Sequence, residues 1–377
     1  YKPKLTKYFR RSKMKKWTIK KKILITILSI IAVLLLVVIA YVIYVFGSYH
    51  RIEDKQSLKV NSLNAGAGTK VSRNVEYTAG TYNVGFGAYT PDYSFFMDGG
   101  KYSRCFSKQS GIDAINGAAK LAKSENPDFM IFEEVDRDST RSYHVSQENL
   151  INKKFDGYFQ NFAVNYDSAY LFYPFNEPIG KSYSGISVYS KYEITSALRR
   201  RFPISTGFSK ILDLDRCYSV SRVYVDNGKE LVIYAVHMSA YGNSDAIRQG
   251  QTSMLFDDMK SEIDKGNYVI CGGDFNHDLK LAEDDNVKHE SWAYPFPRSK
   301  MPKGLSFAMD KLSKDKYDNL ADSNRNDDTE YIPGKTFTCI LDGFIISDNV
   351  EMTDYTVKST VFLYSDHEPV FMKFKLK

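Results

Sequence analysis

The sequence predicts an α/β protein in which two mixed β-sheets stack on one another, preceded by one transmembrane helix. Three observations predict it. Beyond about residue 76 strand-like runs far outnumber helical ones, runs such as DFMIFEEVD (128–136) and NYVICGGDF (267–275) read as buried strands, and residues 23–46 are apolar without a charge. A doubly wound sheet would need a helix after nearly every strand, which the sequence does not supply.

Residues 1–22 carry eleven of the 51 Lys and Arg and no acid, which leaves 40 basic against 45 acidic residues in the rest. The formal charge of +6 therefore misleads, because the body is mildly acidic. Such a body argues against a broad basic surface for gripping polyanions. The run ILITILSIIAVLLLVVIAYVIYVF (23–46) has 24 residues, about 36 Å at ~1.5 Å per residue, enough to cross a bilayer with some tilt. A cleaved signal peptide has a shorter apolar region ending in small residues. Here the run ends among Tyr41, Tyr44, Phe46 and Tyr49, side chains suited to a membrane interface.

The basic segment 1–22 is expected to stay cytoplasmic. The chain then reads as a single-pass protein of the cell membrane, with everything after about residue 50 outside. Met14 reads as the natural start, and residues 1–13 as an extension. Residues 47–75 are polar and glycine-containing and read as a linker. The globular domain is expected over 76–377.

Within it, EYTAGTYNVGF (76–86) suggests a strand ending at Asn83, and 110–128 has helical spacing that stops before Pro127. Strands follow at 128–136, 185–194, 217–228 and 229–240, the last two meeting in a hairpin at Asp226-Asn227-Gly228. A helix over 243–266 stops at Gly266, and strands at 267–275, 336–347 and 369–377 complete the set. Between Asn276 and Thr336 lies an irregular insert. Cys217, Cys271 and Cys339 sit in apolar, strand-like settings and read as small core residues, and Cys105 leaves a bridge open.

Strand after strand ends in a metal- or proton-competent side chain: Asn83, Glu134, His237, Asp274 with Asn276, Asp342, and Asp366 with His367. Singly, each has a plain explanation. Asp342 before Gly343 is a turn, His237 a core or surface histidine, and Glu133 beside Glu134 a solvated strand end. Six endings in one domain are harder to assign to turn chemistry, since Glu and His are not turn residues. Carboxylates converging at a rim repel unless a cation or proton sits among them. Oxygen donors with few His and no Cys suit Mg²⁺, Mn²⁺ or Ca²⁺ rather than zinc. His277, Asp278 and DDNVKHE (284–290) read as loop and solvated surface.

TYN (81–83), FEEVD (132–136), YAVHMSA (234–240), GGDFNHD (272–278), LDGFIIS (341–347) and SDHEPV (365–370) occur in the order of the endonuclease/exonuclease/phosphatase superfamily, the deoxyribonuclease-I-like fold. The chain resembles its membrane-anchored bacterial members over roughly 77–377. The resemblance implies a four-layered α/β sandwich with the site at one edge. It also implies a metal held by Glu134, with Asn83 and Asp366 as further metal contacts. Asp274 and Asn276 resemble the pair that handles the nucleophilic water and a phosphoryl oxygen. His237 resembles the His at the phosphoryl group, and Asp342 and His367 an Asp–His dyad. Where members often have Gly-Asn-Ala, this chain has Gly185-Ile186-Ser187.

Hydrolysis of a phosphodiester needs an activated water, charge relief on the phosphoryl oxygens and help for the leaving oxygen. Asp274 is the preferred base, since His367 paired with Asp342 would stay cationic. Arg137, Arg141 and His144 follow the metal Glu and could clamp phosphate; they could equally belong to a helix start capped at Ser139/Thr140. The loop 291–304, rich in aromatics and Pro, could be self-packed, base-stacking or lipid-facing.

The leading expectation is a membrane-tethered extracellular phosphodiesterase, dependent on Mg²⁺ (or Mn²⁺/Ca²⁺), acting on nucleic acid. A sphingomyelinase-like or inositol-phosphate-type esterase of phospholipid or sugar phosphate is the alternative, and a non-catalytic binding module the third.

Overall fold

The computed structural model describes residues 17–66, 68–207, 210, 214–239, 245–283 and 293–377. It comprises two compact units, one ending at Ser48 and one running from Tyr49 to Lys377. The first contains helix α1 (Ile19–Ser48), 30 residues long and apolar enough to cross a membrane.

The second unit opens with short strands β1 (Gln56–Ser57) and β2 (Asn61–Leu63), then β3 (Glu76–Asn83), helix α2 (Lys108–Ser124) and β4 (Phe129–Asp136). Next come α3 (Gln147–Lys154), β5 (Tyr158–Asp167), β6 (Tyr183–Ser190), β7 (Ser196–Arg201), β8 (Cys217–Tyr224) and β9 (Glu230–His237). Then follow α4 (Asp245–Asp264), β10 (Tyr268–Asp274), β11 (Leu305–Phe307), α5 (Lys314–Asp318), β12 (Asn324–Arg325) and β13 (Thr338–Cys339). The chain closes with β14 (Asp342–Ser347), β15 (Val350–Val357) and β16 (Val370–Leu376).

Two seven-stranded sheets result, in the orders β1-β7-β8-β9-β10-β14-β11 and β15-β16-β3-β4-β6-β5-β2. Each is mixed: β9–β10 and β3–β4 are parallel, and the other pairs antiparallel. The expected α/β sandwich of two sheets with flanking helices is what the chain forms.

Apolar side chains of both sheets, among them Ile131, Ile186, Val188, Val220, Ile233, Ile270 and Phe344, share one core. Helix α2 starts at a capping box, where Ser107 Oγ accepts from Ser110 N (3.0 Å) and Ser110 Oγ from Ser107 N (2.8 Å). Its buried Ala114, Ile115, Ala118, Ala119 and Ala122 recur at helical spacing, and all of these but Ala114 join Phe132 and Phe371 in a second core. All four cysteines are buried and free.

The hairpin forms as expected, with Gly228 at φ 81°. The stretch 336–347, expected as one strand, is two. The carbonyls of Ile340 and Leu341 are taken by Leu279 N and Phe275 N, so Thr338–Cys339 pairs with β12 instead of continuing into β14.

The linker expected over 47–75 is partly folded in. β1 pairs with β7, β2 with β5, and Arg51 pairs with Asp215 at 2.7 Å. Val71 is fully buried and bridges to Val225. Its composition is that of a tether, but backbone hydrogen bonding to open sheet edges needs no apolar side chain.

On the outer side of β8, Arg222 binds Glu262 at 2.7 Å, joined by Lys265 and Asn267. Burial would raise Glu262, yet these hydrogen bonds hold it down from 4.5 to about 2. A depressed carboxylate contributes stability above its ordinary pKa and loses it as pH falls. Urea unfolding followed between pH 5 and pH 2 is expected to lose about 2 kcal/mol of this pair's contribution, and Glu262→Gln to be less pH-sensitive over that window.

Candidate functional site

The ladder registers gather the strand ends. In one sheet His237 lies opposite Asp274, and Asp274 opposite Asp342, so three polar residues form a row across β9, β10 and β14. In the other, Asn83 at the end of β3 lies opposite Glu133 of β4. A register shift between Phe132 and Val135 marks a bulge in β4, and Glu134 takes φ 54° there. The bulge sends two consecutive glutamates different ways. Glu133 is fully buried, accepting from Thr81 Oγ1 at 2.7 Å, while Glu134 keeps 21% of its side chain exposed. Glu133 is therefore not a solvated strand end. Burial, and then the charge of Asp342, hold its carboxyl well above the usual range.

The glycines before Asp274 have a structural reason. Gly273 has φ 144°, and a Cβ there would meet Val236 O at 2.0 Å. A Cβ on Gly272 would meet Phe344 at 2.4 Å. The two strands approach so closely at the rim that only glycine fits. Gly273→Ala is expected to lower unfolding free energy by about 3 kcal/mol or more, read as a fall in the urea midpoint.

Asp274 is the hub. Its Oδ2 lies 3.1 Å from Asn83 Nδ2, 3.2 Å from Asn276 Nδ2, 3.5 Å from His237 Nε2 and 3.7 Å from His367 Nε2. Asn276, at φ 49°, also donates its backbone N–H to Asp274 Oδ1 (2.8 Å) and its amide to Met238 O (2.9 Å). Two catalytic-type residues at positive φ mark local strain held by the surrounding ladder. Asn83 Nδ2 also lies 3.4 Å from Glu134 Oε1, while its Oδ1 accepts from Gly85 N at 3.0 Å. The sequence expects Asn83 among metal ligands; here its N–H groups link Glu134 to Asp274, and its amide oxygen accepts from Gly85 N with a second lone pair to spare.

His367 Nδ1 meets Asp342 Oδ2 at 2.7 Å, and Ser323 Oγ donates to the same oxygen at 2.8 Å. Burial alone would lower the pKa of His367, but Asp342, Asp366 and Asp274 raise it well above the ordinary value. Burial pushes Asp342 up to about 6, against the pull of His367. The amide of Asn324 lies 3.1 Å from His367 Nε2. His237 behaves oppositely. Burial, then the positive charges of Arg216, His367 and Arg141, push it well below its ordinary pKa, so it is neutral.

The donor chemistry fits a hard divalent ion. Asp274, Asp342 and His367 place ligand atoms within 4.8 Å of one another, the one such group among the described residues. A protonated His367 cannot ligate, however. Glu134 is raised by burial, lowered by Arg141 and raised again by Asp366, and a cation between those two carboxylates relieves their repulsion.

The substrate-side candidates are held by neighbouring carboxylates, and of the three the charge of Arg141 acts on Glu134 and His237. Arg137 forms a double hydrogen bond to Glu148 (2.6 and 2.8 Å) over the Phe162 ring. Arg141 is buried, bound to Asp136 at 2.9 Å and stacked on Phe86. His144 is exposed and pairs with Asp138 at 2.5 Å. The first two guanidiniums each give Nε and Nη2 to an internal carboxylate. His277 is no surface residue: it is buried, its ring against Phe296, and burial lowers it to about 4. DDNVKHE and the start of the 291–304 loop lie outside the described residues. Ser323, Asn324 and Asn165, whose amide lies 3.5 Å from His237 Nδ1, carry no short motif and were invisible in the sequence.

Residues 80–327 match the model of the Endonuclease/Exonuclease/phosphatase family. No curated protein matches the sequence. Among solved structures, an endonuclease/exonuclease/phosphatase from Beutenbergia cavernae DSM 12333 is similar at 16% identity and TM-score 0.56, over 80% of this chain and 72% of that one. D. rerio TDP2 complexed with single strand DNA product is similar at 15% identity and TM-score 0.54, over 80% and 100%. A family protein from Bacteroides thetaiotaomicron is similar at 16% identity and TM-score 0.52, over 80% and 96%.

Proposed function

The chain belongs to the Endonuclease/Exonuclease/phosphatase family, whose members hydrolyse phosphate esters, and from that premise we propose a membrane-tethered, divalent-metal-dependent phosphodiesterase that cleaves nucleic acid outside the cell. The observation that carries the reading is the convergence of His237, Asp274, Asn276, Asp342 and His367 with Glu134 and Asn83 at one rim.

Glu134 and Asp366 would hold the metal, with Asn83 fixing Glu134 in place. When bound, a divalent ion supplies Lewis acidity toward a phosphoryl oxygen. Asp274 accepts the proton of the attacking water, held for that task by Asn83 and Asn276. Cationic His367, oriented by Asp342, donates to a phosphoryl oxygen. Neutral His237 donates from Nε2 on the opposite side of Asp274. Arg137, Arg141 and His144 serve the fold around the site.

The apolar helix α1 favours a second substrate, a phosphate ester in a lipid headgroup. The full chain in detergent, given Mg²⁺, Mn²⁺ or Ca²⁺ with DNA, RNA, sphingomyelin and phosphoinositides, separates the two. Nucleic-acid cleavage that weakens steeply with salt supports the proposal. Sphingomyelin cleavage indifferent to salt supports the lipid reading. Metal binding without any turnover overturns both.

A further inference from the structure

Large apolar residues on the surface of the second unit are not spread evenly. The loop between β5 and β6 carries Phe172, Tyr173 and Phe175, which are 50%, 63% and 84% exposed. Met97, 59% exposed, stands in the loop after β3. The Phe96 ring lies 5.7 Å from that of Tyr173, so the two loops form one lip. The lip is braced. Leu171 bridges to Gly180 at its base, and Ser103 N and Arg104 Nε donate to Glu177 Oε2 (3.2 Å) and Pro178 O (2.7 Å). Aromatic rings held outward at a fixed place mark a surface that meets something apolar.

The lip stands on the catalytic edge. β5 ends at Asp167, opposite Tyr183, and the next residue, Ser184, lies opposite Asp136, two residues past Glu134. The start of the second unit runs along the same edge. His50 meets Asp167 at 3.6 Å, Arg51 meets Asp215 at 2.7 Å, and Arg199 Nη1 donates to Glu53 O at 3.2 Å. Asp215 stands two residues before Cys217, which lies opposite His237. The apolar helix α1 stops at Ser48. From there to Arg51 is at most about 11 Å of chain.

Nucleic acid stacked on such a lip needs cations beside the rings to meet its phosphates. Residues 168–180 hold no Lys or Arg and one acid, Glu177, and residues 93–98 hold no base and one acid, Asp98. Phe and Tyr around a Pro, without positive charge, suit the boundary between headgroups and acyl chains.

We propose that Phe172, Tyr173, Phe175 and Met97 enter the interface of the bilayer that anchors α1, so that the catalytic edge faces the membrane surface. This rests on the membrane-tether reading and not on the chemistry of the site. Substrates confined to the membrane surface then reach the row of His237, Asp274 and Asp342 before those free in solution.

The test uses the full chain in phosphatidylcholine nanodiscs, with a bimane label on Phe175→Cys. The native cysteines are all buried and free, so the folded chain takes the label at 175 alone. Because Phe175 is exposed, the substitution should leave Tm in detergent unchanged. A second chain labelled at Glu351→Cys is the reference. Glu351 pairs with Lys375, which lies opposite Glu76 at the end of β3 remote from Asn83. Bimane at 175 should emit further to the blue than bimane at 351. Lipid spin-labelled near the headgroup should quench it more than lipid labelled at the chain terminus, as for side chains about 5–10 Å deep. Adding Phe172→Ser and Tyr173→Ser should abolish that response.

A chain that enters nanodiscs and is quenched no more at 175 than at 351 overturns this proposal alone. Quenching that survives Phe172→Ser and Tyr173→Ser is the dye's own affinity for lipid and overturns it too. A label indifferent to lipid but shifted by single-stranded DNA overturns it in favour of base stacking. A chain that does not enter nanodiscs overturns the tether reading and this proposal together.

Discussion

Asp274→Asn is expected to reduce turnover of a phosphodiester by roughly 10²- to 10⁴-fold, the usual share of a positioned general base. The substitution keeps the size of the side chain, so the hydrogen bond from Asn276 N to Oδ1 survives. What disappears is the charge facing His237 and His367 and the capacity to take a proton. Circular dichroism and the urea midpoint should stay near wild type, which separates lost chemistry from lost folding. An Asp274→Asn protein with near-normal turnover would show that His367, or a group not gathered at this rim, handles the water. The geometry argues against His367 because Asp342, Asp366 and Asp274 keep it protonated, and a protonated imidazole cannot accept.

Chelation of divalent ions is expected to have the second large effect. A lost Lewis acid removes several kcal/mol of transition-state stabilisation, so turnover should fall about a thousandfold in excess EDTA and return with Mg²⁺ or Mn²⁺. Glu134→Gln then tests the ligand directly. The metal concentration at half-maximal activity, and the dissociation constant for Mn²⁺ measured by calorimetry, should both rise by roughly 10- to 100-fold or more. Full activity in EDTA would end the metal reading. Unchanged Mn²⁺ affinity in Glu134→Gln would leave the metal to the neighbouring Asp274, Asp342 and His367 group.

The sequence reads clearest where local chemistry and tertiary role coincide. Asp274 follows two glycines because a Cβ on Gly273 would strike Val236 O of β9 and one on Gly272 the Phe344 ring of β14, and that constraint writes itself as GGD. Likewise Asp342 begins β14 and His237 ends β9, so their positions follow from strand ends alone. Arg141 misleads because a guanidinium shortly after Glu134 looks the same in sequence whether it faces solvent or Asp136. β5 and β7 hid because polar Asn161, Asn165 and Arg199 interrupt the apolar alternation at buried positions. Asn161 bonds Ser221 across the sheets, and Arg199 is satisfied wholly by backbone carbonyls. The polar stretch after the apolar helix gave no apolar alternation, although its backbone completes two sheet edges.

Those edges bear on how the protein tolerates crowding. One sheet terminates in strands of two and three residues, β1 and β11, and the other in three-residue β2. Only β15 offers a long flank, eight residues, and it is broken by an irregularity between Met352 and Asp354 with Glu351 turned to solvent. A neighbouring molecule finds almost no straight run of unpaired amides on which to polymerise. Copies held at high concentration can therefore remain separate.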